Sequence, residues 1–167
     1  MKKFLKALAV LAAVAALGFG FASCSDSDDD DGGSGSAPSL AAYSGTNSDG
    51  ETETITFYSD NTYAMHIYSK ETDDGMTVTM DLDVEKGTYT GDPTKDGTVV
   101  CTSVSQVNRA TMVELMMKAM YSGSNSLTIT NSNCPLEALD SSKVKTRKCT
   151  ISGTTLTDDE DNKYTRK

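Results

Sequence analysis

Met76-Thr77-Val78-Thr79-Met80-Asp81-Leu82-Asp83-Val84 decides how the chain folds. Apolar side chains stand at 76, 78, 80, 82 and 84, and polar ones at 77, 79, 81 and 83. Successive side chains of an extended chain leave opposite faces. The alternation therefore describes a strand with one face in a core and the other in water. A helix would scatter the same residues around its axis. Gly87-Thr88-Tyr89-Thr90 continues this strand or begins the next, with Gly87 as a bend or bulge.

Upstream, Ile55 to Tyr58 and Thr62 to Tyr68 are β-rich runs separated by Ser59-Asp60-Asn61, the composition of a hairpin turn. Tyr63, Met65 and Ile67 share one face of the second run; Ala64, His66 and Tyr68 share the other. The polar run Lys70 to Gly75 closes that strand. Downstream, Gly91 to Gly97 is dense in turn residues, and Thr98 to Val107 is again β-rich. Shorter runs follow at Leu127 to Thr130, Lys148 to Ile151, Thr154 to Thr157 and Lys163 to Thr165, while Pro135 to Leu139 reads as a turn.

One segment breaks the pattern. From Ala110 to Tyr121, Val113, Met116, Met117 and Met120 recur at helical spacing, and Met112, Leu115 and Ala119 widen the stripe. Asn108 is placed to cap the start, and Gly123 lies just past the end.

About seven or eight short strands suit a sandwich or a closed barrel. A sheet with one apolar face must pack on something, and one three-turn helix is too small to cover it. The sheet is therefore expected to close on itself. The expected fold is all-β with one short helix, an antiparallel up-and-down barrel.

The start of the chain reads as an address. Lys2, Lys3 and Lys6 precede an apolar run from Ala7 to Phe21, the order of a secretory signal at residues 1–23. The run ends Phe21-Ala22-Ser23-Cys24, which resembles a bacterial lipobox. That resemblance implies cleavage before Cys24, acylation of its thiol, and a partner in the lipid bilayer. Each buried CH₂ contributes about 0.8 kcal/mol, so several acyl chains hold a protein on a membrane. Residues 24–37 are then a tether. Five aspartates between Ser25 and Asp31 lead into Gly/Ser repetition, with nothing apolar to offset ordering entropy. The acidic run after Cys24 resembles the surface-export signal of some outer-membrane lipoproteins. The expected location is the cell envelope, at the outer membrane, with the domain in the periplasm or at the surface. Residues 38–167 form the folded domain.

Composition removes several classes of function. The 167 residues carry a formal charge of −9, and losing three signal lysines and no acid takes it to −12. Nucleic acid is not an expected partner of such a chain. With one His, no multi-histidine metal site can form, and no metal or cofactor is expected. His66 lies mid-strand without a nucleophile motif such as GxSxG, so it reads as a surface or packed histidine. Asp158-Asp159-Glu160-Asp161-Asn162 lacks the alternating ligands and glycine of a calcium loop, and reads as a hairpin turn. Lys143, Lys145, Arg147 and Lys148 form a basic cluster, read as a solvated strand face. No catalytic residue is assigned.

The rhythm of Ile55-Thr56-Phe57-Tyr58-Ser59-Asp60-Asn61-Thr62-Tyr63, Lys86-Gly87-Thr88-Tyr89-Thr90-Gly91, Ile151-Ser152-Gly153-Thr154-Thr155-Leu156-Thr157 and Tyr164-Thr165-Arg166 resembles the small bacterial lipocalin-like lipoproteins. The resemblance covers most of 43–167 and implies a lipocalin-like barrel. Gly45 stands for that family's early glycine and Arg166 for its late arginine, but the chain has no Trp for the arginine to stack on.

Three cysteines remain beyond Cys24. Cys101 and Cys149, both in expected strands, can meet across a barrel. Cys134, in a loop, can also reach Cys149. All three can equally stay reduced as small hydrophobes. The Met-rich helix reads either as a plug that simply fills the core or as a lid over one mouth of the barrel, because methionine adapts to varied apolar partners. The expected ligand pocket is Met65, Met76, Met80, Met116, Met117 and Met120, for a small apolar ligand in a monomeric, non-catalytic protein. The rival reading is a surface interaction protein, an adhesin or assembly partner, with a filled core. A cavity favours the first and a packed interior with an exposed apolar patch the second.

Overall fold

A computed structural model describes residues 37–47 and 50–167. The signal, Cys24 and almost all of the tether lie outside these described residues. Among the described residues, ten strands and one helix follow in chain order: β1 (Ser39–Thr46), β2 (Thr52–Tyr58), β3 (Thr62–Asp73), β4 (Met76–Thr90), β5 (Gly97–Val107), α1 (Arg109–Tyr121), β6 (Ser126–Ile129), β7 (Leu136–Ala138), β8 (Thr146–Ser152), β9 (Thr155–Thr157) and β10 (Lys163–Arg166).

Eight of these strands close a barrel. Each of β1, β2, β3, β4, β5, β8, β9 and β10 pairs antiparallel with the next, and β10 returns to β1 with Tyr43 opposite Arg166. The expected up-and-down barrel is therefore the fold. Between β5 and β8 the chain makes an excursion that holds α1, β6 and β7. β6 adds to β4 in parallel, and β7 adds antiparallel to β5.

β4 shows how one strand serves two cores. In its first half the expected alternation holds, with Val78 and Leu82 buried and Asp81 exposed. Its register with β3 runs from His66 opposite Asp83 to Met65 opposite Glu85, which leaves Val84 without a partner. This bulge moves the inward set to Glu85, Gly87 and Tyr89. The expected bend at Gly87 is also present, as a register shift against β5. A Cβ there would collide with the Thr102 carbonyl oxygen and the Tyr63 ring, so close strand approach requires glycine.

Two apolar clusters result. Inside the barrel lie Ala41, Tyr43, Ile55, Phe57, Tyr63, Met65, Tyr89, Val99, Cys101, Cys149, Ile151, Leu156 and Tyr164. The second cluster joins Leu82 of β4 to Met112 and Met116 of α1, Ile129 of β6 and Cys134. Val84 packs against both.

Three expectations change. β3 does not close at Lys70 but runs to Asp73, because Lys70 to Asp73 pair with Met76 to Thr79 and the turn is Asp74-Gly75. Pro135 to Leu139 holds the short strand β7. β1 had no signature in the pattern: Ser-Leu-Ala-Ala-Tyr-Ser-Gly-Thr is dominated by small residues and only Ala41 and Tyr43 are buried, yet it supplies the strand that closes the barrel.

The helix also turns a different face inward. Asn108 caps α1 as expected, its side chain accepting from the Ala110 and Thr111 amides, and Gly123 follows with φ 68°. The buried residues are Met112, Met116 and Ala119, whereas Met117 and Met120 are 43% and 48% exposed. The stripe read from the spacing, Val113, Met116, Met117 and Met120, is therefore not the inward face: apolar residues nearly surround this helix, and its neighbours select Met112, Met116 and Ala119.

Candidate functional site

The strand directions give the barrel two different ends. At one end β1 begins, and the β2–β3, β4–β5 and β8–β9 turns lie. At the other, β5 leaves for the α1–β6–β7 excursion and β8 returns.

Aromatic rings pack together toward the first end. Phe57 is the hub, with ring centroids 6.2 Å from Tyr43, 6.4 Å from Tyr63 and 5.0 Å from Tyr89. The Tyr43 and Tyr89 rings meet Phe57 edge-on, an arrangement that adds stabilisation beyond area burial. The Tyr43 hydroxyl donates to the Pro93 carbonyl at 2.8 Å, and Arg166 Nη2 donates to the same oxygen at 2.9 Å. The Arg166 guanidinium lies 5.3 Å from the Tyr43 ring centroid. Arg166 thus stacks on the ring of Tyr43.

The interior toward the excursion is polar. Glu85, 7% exposed, accepts from the Tyr63 hydroxyl at 2.5 Å and from Gln106 Nε2 at 2.6 Å. Arg147 Nη2 lies 4.0 Å from the same carboxylate, its Nε 3.9 Å from Asp159 and its Nη1 3.9 Å from the Met65 sulfur. Burial opposes the charge of Arg147, but Glu85, with Asp158 nearby, more than offsets this and holds it charged. Burial, then Glu85, pushes the Tyr63 phenol above its ordinary range. Tyr164 is raised by burial and by Glu53, whose Oε2 accepts its hydroxyl at 2.7 Å. Among the described residues, no buried side-chain polar atom lacks a hydrogen-bond partner.

The expected site residues are not gathered in one place. Met65 belongs to the barrel core, whereas Met80 and Met116 belong to the second cluster. Met76 begins β4 beside the β3–β4 turn, and Met117 and Met120 face outward. The six methionines thus do not form one cluster. The basic cluster also divides: Arg147 turns inward, Lys143 pairs with Asp140 at 3.4 Å, and Lys145 and Lys148 are exposed. Glu85, Gln106 and Tyr63 were missed as a polar core. The one sequence signal was Glu85 breaking the alternation directly after Val84.

His66 sits between two carboxylates, with Nε2 3.0 Å from Asp81 and Nδ1 3.1 Å from Asp83. Lys86 also reaches Asp83, at 2.9 Å. Both ring nitrogens can donate only in the imidazolium form. In the Asp158–Asn162 turn, Asp158 accepts from the Glu160 and Asn162 amides, from Asn162 Nδ2 and from the Tyr164 hydroxyl. Its carboxylate is taken up by the turn itself. Among the described residues, no group of three or more His, Cys, Asp or Glu is arranged to hold a metal ion.

Cys101 and Cys149 lie on the paired strands β5 and β8, while Cys134 is apart in the second cluster, and all three are buried free thiols.

No family model, curated protein or solved structure matches this chain.

One external feature remains. Val113, Met117, Met120 and Tyr121 follow each other at helical spacing along the outer side of α1, and Tyr121 is 85% exposed. The outer side of α1 is therefore an apolar stripe facing water, flanked by Arg109, Glu114 and Lys118.

Proposed function

We propose that this chain is a lipid-anchored, non-catalytic module of the cell envelope whose barrel is a filled scaffold for a protein-interaction surface. Acylated Cys24 holds it to the outer membrane, and the acidic Gly/Ser tether spaces the domain from the bilayer. The observation that supports the reading is the character of the inward side chains. Phe57 packs with the Tyr43, Tyr63 and Tyr89 rings, and Glu85 is hydrogen-bonded to Tyr63 and Gln106 with Arg147 4.0 Å away. An apolar guest would have to displace rings or face a buried carboxylate without offering it a donor.

β1 begins at the end of the barrel opposite the excursion that carries α1, so attachment on the N-terminal side of β1 leaves the outer stripe of α1 open to another protein. The rival reading, a small apolar ligand lodged in the barrel, separates from this one in a titration with an apolar environment-sensitive dye. The filled scaffold gives no saturable enhancement. Saturable one-to-one binding, displaced by a fatty acid, would establish the ligand reading instead.

A further inference from the structure

The barrel brings two sulfur nucleophiles together at the seam where it has the weakest chain connection. β5 and β8 are neighbours in the barrel, yet the chain between them runs from Asn108 to Lys145, the longest link between adjacent barrel strands. Cys101 is opposite Arg147 and Cys149 opposite Val99, so the cysteines are diagonal neighbours on the inward face. Sheet twist swings one diagonal of an antiparallel pair together, and both thiols are buried in the same barrel cluster. Cys134 is held elsewhere, its sulfur 3.9 Å from the Asn108 carbonyl oxygen.

We propose that Cys101 and Cys149 form an intrachain disulfide across the β5–β8 seam when the chain folds after export, and that Cys134 stays a free thiol. The inference rests on the envelope reading above, because a reducing cytoplasm would keep both thiols free. The oxidant is an external disulfide, such as a disulfide-bearing oxidase or oxidised glutathione. One of the two cysteines, as its thiolate, attacks one of the oxidant's sulfurs and expels the other as a thiolate. The second cysteine then attacks the protein sulfur of the mixed disulfide and expels the remaining external sulfur as a thiolate. Two electrons pass to the external disulfide, and the two protein protons end on the two departing thiols. Both cysteines are almost fully enclosed in the closed barrel, 2% and 0% exposed, so the exchange takes place before β8 docks. The cross-link shortens the connection whose closure costs the most chain entropy.

The three cysteines fall on separate tryptic peptides, 96–109, 119–143 and 149–163. The full chain, refolded from denaturant with oxidised glutathione and alkylated under denaturing conditions, should give a linked 96–109/149–163 species. That species should vanish on reduction, with Cys134 alkylated throughout. It should persist in Cys134→Ala and be absent in Cys149→Ala, and the linked chain should melt at a higher temperature than the reduced one. Full alkylation of Cys101 and Cys149 after refolding, or a link from either to Cys134, would overturn the pairing. The same digest of chain recovered unreduced from envelope membranes tests the compartment separately. A link there supports both readings. A link formed on refolding but absent from the membrane-derived chain upholds the pairing and overturns the oxidising location.

Discussion

Glu85 concentrates the interior chemistry of the barrel. A carboxylate taken from water must be repaid by donors, and Tyr63 and Gln106 supply them, with Arg147 at longer range. Tyr63→Phe removes one charge-assisted hydrogen bond and should lower stability by about 1.5–3 kcal/mol in urea unfolding. Gln106→Leu combined with Tyr63→Phe should cost more than the sum of the single changes, since the carboxylate is then stranded. The raised phenols of Tyr63 and Tyr164 add a pH dependence. Above about pH 10 the unfolded chain gives up these protons while the folded chain keeps them. The folded state then binds more protons, so the stability these groups contribute is complete below pH 10 and is lost as pH rises beyond it. Unfolding at pH 7 and pH 11 should show a smaller alkaline loss in Tyr164→Phe than in the parent chain.

At the level of elements, α1 has two apolar sides and buries only one. Met116 packs with Met112, Leu82, Ile129 and Cys134, and Met116→Ala should cost about 2–5 kcal/mol. Met117 stands on the outer side, so Met117→Asp should change stability by no more than about 0.5 kcal/mol, like Lys118→Asp. Thermal unfolding of the three variants checks the order. A large loss in Met117→Asp would mean that the outer stripe is covered within the protein. The strand β4 is equally divided, and Gly87 is the residue that cannot change. Gly87→Ala places a methyl group against the Thr102 carbonyl oxygen and the Tyr63 ring, and should destabilise the chain by at least about 2 kcal/mol.

For the whole molecule, barrel closure and anchoring are separable. Every barrel strand lies between Ser39 and Arg166, so residues 38–167 expressed alone should give a β-dominated circular dichroism spectrum with a minor helical component. Millimolar calcium should leave its melting temperature unchanged, because the Asp158 carboxylate is already occupied by the amides of its own turn. In the full chain, Cys24→Ser should move the protein out of the membrane fraction or block its processing, as fractionation and acyl labelling would report. Continued acylation of that variant would remove the lipid-anchor reading.

The alternation of Met76 to Val84, the hairpin residues between Tyr58 and Thr62 and the turn-rich Gly91 to Gly97 determined strands, turns and a closed all-β fold. They could do so because period-two burial and turn chemistry are local properties of the chain. The cap at Asn108 was legible for the same reason. The tertiary structure alone decided three other matters. It chose the inward face of α1, since apolar residues at 112, 116 and 119 compete with those at 113, 117 and 120 until a neighbouring surface selects between them. It made a strand of Ser39 to Thr46, whose small residues carry little β preference but whose backbone closes the ladder between β2 and β10. And it placed Glu85 inside: the unpaired Val84 reverses the facing of every residue after it, and a bulge depends on the partner strand rather than on the strand that contains it.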